Sequence, residues 1–268
     1  MAFTSYDTIV AALAAGNGQS FPWMKQSITT TTARWYSLFK SAGNPAAGST
    51  PASGSGAAAT SATTGAFPIV NPSGVNLLRA LTYGAGGGTA GMSMIYDRLV
   101  HTSGLVGNLN TAQTINSAAL TRYTTGVGVM CALEVYTAIG STPTTATISY
   151  TNQAGVAGQI SGTITIPATL VAQSMVFPFP LAAGDTGIQS VQSLTLAAST
   201  GTAGNIGITL YYPLAMIAWN ANGYNERDLI LQTANLPEVK ANACLALASY
   251  ATASTLGDEI GTLILAQG

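Results

Sequence analysis

The chain has 268 residues, of which 47% are hydrophobic and 6% charged, with a formal net charge of −1. The hydrophobic share supplies a core and excludes disorder across the whole chain. The eight basic residues are scattered singly from Lys25 to Lys240, which excludes the clustered positive face that phosphate binding needs, so nucleic acid is not an expected partner.

In chain order, the first predicted element is a helix. Ser5 caps it, Ile9, Val10 and Leu13 share a face, and Gly16 stops it. Asp7 precedes any basic residue, which is not the pattern of a secretory signal, so synthesis in the cytoplasm is expected. A second short helix is predicted over Thr32–Lys40, with Trp35, Leu38 and Phe39 at i, i+3 and i+4 and Gly43 at its end. Its aromatic stripe reads either as a cover for the chain's own core or as a docking surface. From Asn44 to Gly65 the sequence turns to Pro, Gly, Ala, Ser and Thr without a charge, the composition of an extended arm. Such an arm is ordered only by what it lies against, a neighbouring subunit being one candidate.

After Phe67 the period is two. Val127, Val129, Cys131, Leu133 and Val135 alternate with Gly128, Met130, Ala132, Glu134 and Tyr136. Ala146, Ile148 and Tyr150 repeat the pattern, followed by Ile160, Ile164 and Ile166, and by Ile206, Ile208, Leu210 and Tyr212. Asn152–Gly158 and Ser199–Asn205 read as turns. Ala243–Ala251 and Ile260–Ala266 read as a final strand pair. The expected fold is mainly β, a two-sheet, jelly-roll-like sandwich over 67–268, preceded by an N-terminal helical segment and arm over 1–66. Periodicity alone leaves immunoglobulin-like topology open. The longest apolar stretch, Leu210–Trp219, contains Pro213 and is too short to span a membrane. Thr on outward strand positions favours β without bringing charge. Edges without Lys or Glu suit a surface that becomes buried against other subunits.

Candidate chemical motifs are few. Gly86, Gly88 and Gly91 match G-x-G-x-x-G, but Met92, Met94 and Tyr96 predict a strand where a dinucleotide site needs a helix. Asp185-Thr186-Gly187 matches the aspartic-protease triplet once, in a turn-like setting. His101 is the sole histidine, no serine lies in G-x-S-x-G, and Cys131 and Cys244 have no metal-ligand spacing. The two cysteines read as small buried residues, with a disulfide between them left open. Glu226/Asp228 and Asp258/Glu259 are candidates to bind a cation, but each lies in a turn-like stretch, where solvation or pairing with Arg227 is the simpler account. Asp97, Arg98, Arg122 and Glu134 interrupt apolar strands and are expected as paired charges fixing register or an interface. No catalytic residue, cofactor or metal ligand is expected.

Several runs carry a resemblance. Tyr96-Asp97-Arg98-Leu99 with His101 and Gly104, and Thr121-Arg122-Tyr123-Thr124 before Gly126, form its first part. Ser149-Tyr150-Thr151-Asn152-Gln153-Ala154-Gly155, Pro178 to Leu181, and Gly184-Asp185-Thr186-Gly187 form the rest. Together they resemble proteins encoded beside the capsid genes of tailed bacteriophages, from about the second predicted helix to the end of the chain. The resemblance implies a non-enzymatic structural role in the virion and supplies no active residues. The expectation is a capsid cement or decoration protein. It would form a homo-oligomer, a trimer at a three-fold position, bridging subunits of the phage major capsid protein. Trp23, Trp35, Tyr36 and Phe39 are the expected interface anchors, because aromatic residues dominate interface energetics. A shell, neck or tail component is the alternative within the virion. A host-glycan-binding module is another, its rings coming from Tyr211, Tyr212, Trp219 and Tyr224.

Overall fold

Alternation dictates most of the fold. Strand Thr144–Asn152 buries Thr144, Ala146, Ile148, Tyr150 and Asn152, with half-buried residues between them, as period two requires. The computed structural model describes residues 5–70, 74–86, 90–168, 174–220, 223–229, 236–252 and 254–268. The chain is mainly β and sandwich-like, with 50% of residues in strands and 4% in helix. It divides into two compact units, one of Met1–Gly48, Thr60–Asp97 and Leu214–Gly268, the other of Ser49–Ala59 and Arg98–Pro213. Neither follows the expected division at Ala66/Phe67. Among the described residues no helix is long and apolar enough to cross a membrane.

The first unit opens with helix Tyr6–Ala14, capped reciprocally by Ser5 and Thr8. Ile9 is buried, whereas Val10 is exposed, so the apolar face is narrower than the sequence predicts. One sheet runs in the order Tyr224–Asp228, Asn76–Ala85, Glu259–Gln267, Gly18–Lys25, Gly43–Asn44, with Glu238–Val239 also paired to Asn76–Ala85. A second joins Arg34–Ser37 to Leu245–Ala251, and that strand to the Gly91–Asp97 part of Gly91–His101. Side chains of the two sheets meet in the core. The Tyr83 and Ser249 hydroxyls lie 3.2 Å apart, and Ser249 donates to Glu259 at 2.8 Å.

The second unit has a sheet in the order Gln159–Ile160, Thr144–Asn152, Ile188–Leu196, Gln113–Thr114, with Ile164–Ile166 also on Thr144–Asn152. Opposed strands of a further sheet are Met130–Thr137, Met175–Pro178 and the first part of Asn205–Trp219. Ala57–Ala58 pairs with Val100 and His101.

Three expectations are corrected. Residues 32–40 form strand Arg34–Ser37 rather than a helix, because register with Leu245–Ala251 outweighs a local spacing that β-forming Trp35 and Tyr36 support weakly. Leu245–Ala251 and Glu259–Gln267 are both strands but belong to different sheets, so they are not a pair. The arm lies against its own chain: Ser49–Ala59 belongs to the second unit and is bonded within it.

Candidate functional site

The most polar interior lies in the second unit. Strand Met130–Thr137 places Glu134 and Tyr136 two residues apart, hence on one face, and both are buried. The buried Arg98 guanidinium donates through Nη2 to Glu134 Oε2 at 2.6 Å and to the Tyr136 hydroxyl at 2.9 Å. Its Nε donates to His101 Nδ1 at 2.9 Å. Glu134 Oε2 also accepts from Tyr136 at 3.0 Å and from Thr209 at 2.7 Å. The carboxylate is thus the acceptor on which four side chains depend, directly or through Arg98. Burial lowers His101 to a pKa of about 3, the Arg98 charge adding to the effect and Glu134 opposing it. Burial raises the Tyr136 phenol far above its ordinary range, with Glu134 adding to it. The His101 imidazole is thus an acceptor and the Tyr136 phenol a donor within one buried hydrogen-bond network around Glu134.

His101 gives a pH signature. The unfolded state binds a proton near pH 6.5 and the folded state only near 3, so this group makes stability rise with pH across that window. Stability is therefore expected to fall as pH drops from 6.5 towards 3. His101→Gln, measured by urea denaturation at several pH values, should flatten that slope; an unchanged slope would remove His101 from the account.

From Arg98 onward, the runs that carry the resemblance lie in this same unit. Tyr150 donates to Asp185 Oδ2 at 2.5 Å, and Asn152 Nδ2 to Asp185 Oδ1 at 2.7 Å. The Ala182 amide donates to the Tyr150 hydroxyl, and the amides of Thr186 and Gly187 donate to Gln153 Oε1. Burial, with the bond to Asp185, pushes the Tyr150 phenol up to about 12. Asp185 of the protease-like triplet is therefore a turn anchor, its two oxygens taken by the Ser149–Gly155 run. Arg122 is buried and donates to the carbonyls of Ala59 at 2.8 Å and Arg98 at 3.2 Å. Tyr123 stacks on Tyr212 with centroids 3.9 Å apart. The Gly104 amide donates to Asn205 Oδ1 at 2.8 Å.

In the first unit Trp23, Tyr36 and Phe39 are core side chains, almost wholly removed from solvent. Trp35 is half-buried, edge-on to Tyr250 at 5.5 Å. Trp23, Tyr83 and Trp219 make a ring column, with centroids 5.3 and 5.6 Å apart. Trp219 Nε1 donates to Ser93 at 2.9 Å. Gly91 has the role its motif leaves open: a Cβ there would lie 2.4 Å from the Trp219 ring. A strand follows it, as predicted, and Gly88 lies outside the described residues. Asp97 accepts from the Cys244 amide at 2.9 Å. Asp258 accepts from the Ser27 amide at 2.8 Å. Asp228 pairs with Arg79 at 3.2 Å, whereas Arg227 donates to the Met216 carbonyl. Cys131 and Cys244 are both buried and are not joined in a disulfide.

Two buried charge-bearing groups escape the sequence reading. Lys25 donates to the carbonyls of Ser41 at 3.2 Å and Pro45 at 2.7 Å, and burial lowers it to about 8. Burial raises the Glu259 carboxyl well above the usual carboxylate range. The signal was present, since Trp23 and Lys25 share a face at period two. Of the proposed glycan-binding rings, Tyr211 and Trp219 are buried, Tyr212 is half-buried and Tyr224 alone is well exposed. Among the described residues no group of His, Cys, Asp and Glu could hold a metal ion.

One surface feature is the outer face of the first unit's larger sheet. Met24, Ile260, Gly84 and Tyr224 stand opposite one another across four strands. Their side chains are exposed at 37% for Met24, 49% for Ile260 and 65% for Tyr224. The next row is Pro22, Thr262, Thr82 and Glu226, in which the Thr262 amide donates to the Thr82 hydroxyl at 2.8 Å. Only its edge residue is charged.

No known protein-family model matches this chain, and no curated protein matches it. A solved structure of infectious bursal disease virus, Gt strain, is similar at 11% identity and a TM-score of 0.18, over 94% of this chain and 81% of that one. Similarity at that level carries no argument about the chain.

Proposed function

We propose that this chain is a non-enzymatic structural protein of a bacteriophage virion, a cement or decoration protein that bridges capsid subunits. The observation that carries the reading is where the charges lie. Six of the seventeen charged side chains, Lys25, Asp97, Arg98, Arg122, Glu134 and Glu259, are buried, leaving eleven for a surface of 10,534 Å². A free monomer keeps copies apart with surface charge and with charged strand edges. This surface instead offers a sheet face with an exposed apolar row and, in the next row, a charge only at the edge residue Glu226, which suits permanent packing against other protein. The resemblance to capsid-adjacent phage proteins supports the same reading, since its runs make turn anchors and a buried charge cluster.

The anchors of the proposed contact change accordingly. Met24, Ile260 and Tyr224 take the place of Trp23, Tyr36 and Phe39, which their own core absorbs. The reading is tested by density-gradient purification of particles of the phage that encodes the chain. Co-sedimentation with the shell supports it; recovery only as free protein contradicts it.

A further inference from the structure

We propose that Ser49–Ala59 is an exchangeable strap, which leaves its groove in one copy of the chain and fills the same groove in a second copy. The segment contains only Ser, Thr, Pro, Ala and Gly, and of these only Pro51, Gly56 and Ala59 are buried. It is held chiefly through its backbone. The Ala59 amide donates to Leu99 at 2.9 Å, that of Gly54 to Ser103 at 3.1 Å, and that of Gly56 to Asn116 at 2.8 Å. In return the Ala118 amide donates to the Gly56 carbonyl, the Ser103 hydroxyl to that of Pro51, and Arg122 to that of Ala59.

A segment with so little apolar burial opens at a lower free energy than the core strands beneath it. Once open, it leaves unpaired carbonyls and amides from Leu99 to Ala118 and removes one acceptor, the Ala59 carbonyl, from Arg122. That is an edge ready to accept an extended chain. The groove also selects by size. A Cβ on Gly56 would lie 2.9 Å from Ser117 Cα, and one on Gly104 would lie 1.8 Å from the Ser53 hydroxyl. The occupant that restores every one of these bonds, with side chains small enough to fit, is the same strap from a second copy. The flanks, Asn44–Gly48 and Thr60–Gly65, carry no charge and no side chain larger than Asn. The inference does not rest on the virion reading, because exchange is a property of the isolated chain.

Cysteine trapping tests it. Ala58 and Val100 are register partners, and the bond from Ala59 to Leu99 makes theirs a non-hydrogen-bonded pair, the closer of the two cross-strand types. The native cysteines are buried. Ala58→Cys and Val100→Cys are made as separate full-length proteins, mixed, concentrated and oxidised. Exchange predicts a disulfide joining position 58 of one chain to position 100 of another, identified by peptide mass spectrometry. If the double variant closes within one chain while the mixture gives no interchain product, the proposal is overturned. Should the double variant fail to fold or to close, hydrogen exchange of the wild type decides. Amides of Gly54, Gly56 and Ala59 exchanging together, on the order of 100-fold faster than those of Thr144–Asn152, support the strap. Exchange at the rate of those core amides sinks it.

Discussion

Glu134→Ala is expected to destabilise the second unit by about 3–5 kcal/mol, the cost of breaking a buried ion pair from one side. The carboxylate accepts from Arg98, Tyr136 and Thr209, so its removal strands a guanidinium and two hydroxyls in the interior. Arg98 is wholly buried, and its contacts with His101, a neutral acceptor, and with the Tyr136 hydroxyl bring no compensating negative charge. The double variant Arg98→Met/Glu134→Leu removes both charges while keeping apolar volume, and is expected to cost less than Glu134→Ala alone. The three tryptophans, Trp23, Trp35 and Trp219, all belong to the first unit, so far-ultraviolet circular dichroism in urea is the appropriate probe. A double variant no better than the single would show that the cluster's value lies in its shape rather than in the paired charges.

Trp219→Ala is expected to cost a further core its centre, by about 3–5 kcal/mol. Trp219 is buried, stacks on Tyr83 at 5.6 Å and donates to Ser93, which lies 2.6 Å from the Ser249 hydroxyl. Ser249 in turn donates to Glu259, so the loss opens a cavity and also removes the donor at the head of a buried polar chain. Trp219→Phe keeps a ring beside Tyr83 and should lose only about 1–3 kcal/mol. Fluorescence of the remaining Trp23 and Trp35 reports the first unit directly. Equal losses for the two variants would place the value of Trp219 in its N–H bond rather than its packing.

Strands of one apolar face were legible because alternation is local. Thr144–Asn152 follows its pattern residue by residue, and Ser5 and Gly16 bracket a real helix. Residues 32–40 were misread because Trp35, Leu38 and Phe39 fit helical spacing, while the pairing with Leu245–Ala251 lies about 210 residues away in sequence and leaves no local trace. The arm was legible as an arm, but its place was not, since Ser49–Ala59 docks through backbone groups common to every residue. The charge cluster was half legible. Arg98 and Glu134 interrupting apolar strands announced a buried pair, whereas the convergence of His101, Tyr136 and Thr209 depends on chain crossings that no spacing encodes. Of the expected aromatic anchors, Trp23, Tyr36 and Phe39 are buried and Trp35 half-buried, because large rings at period two go to the core first.

The central claim, that this low-charge β-protein lives packed in a phage particle, is tested most directly by quantitative mass spectrometry of purified particles, scaled to the major shell protein. The account predicts a copy number comparable to that of the shell protein, as a cement role at repeated lattice positions requires. A handful of copies would move the chain to the neck, tail or an appendage, and its absence from the particle would contradict the account.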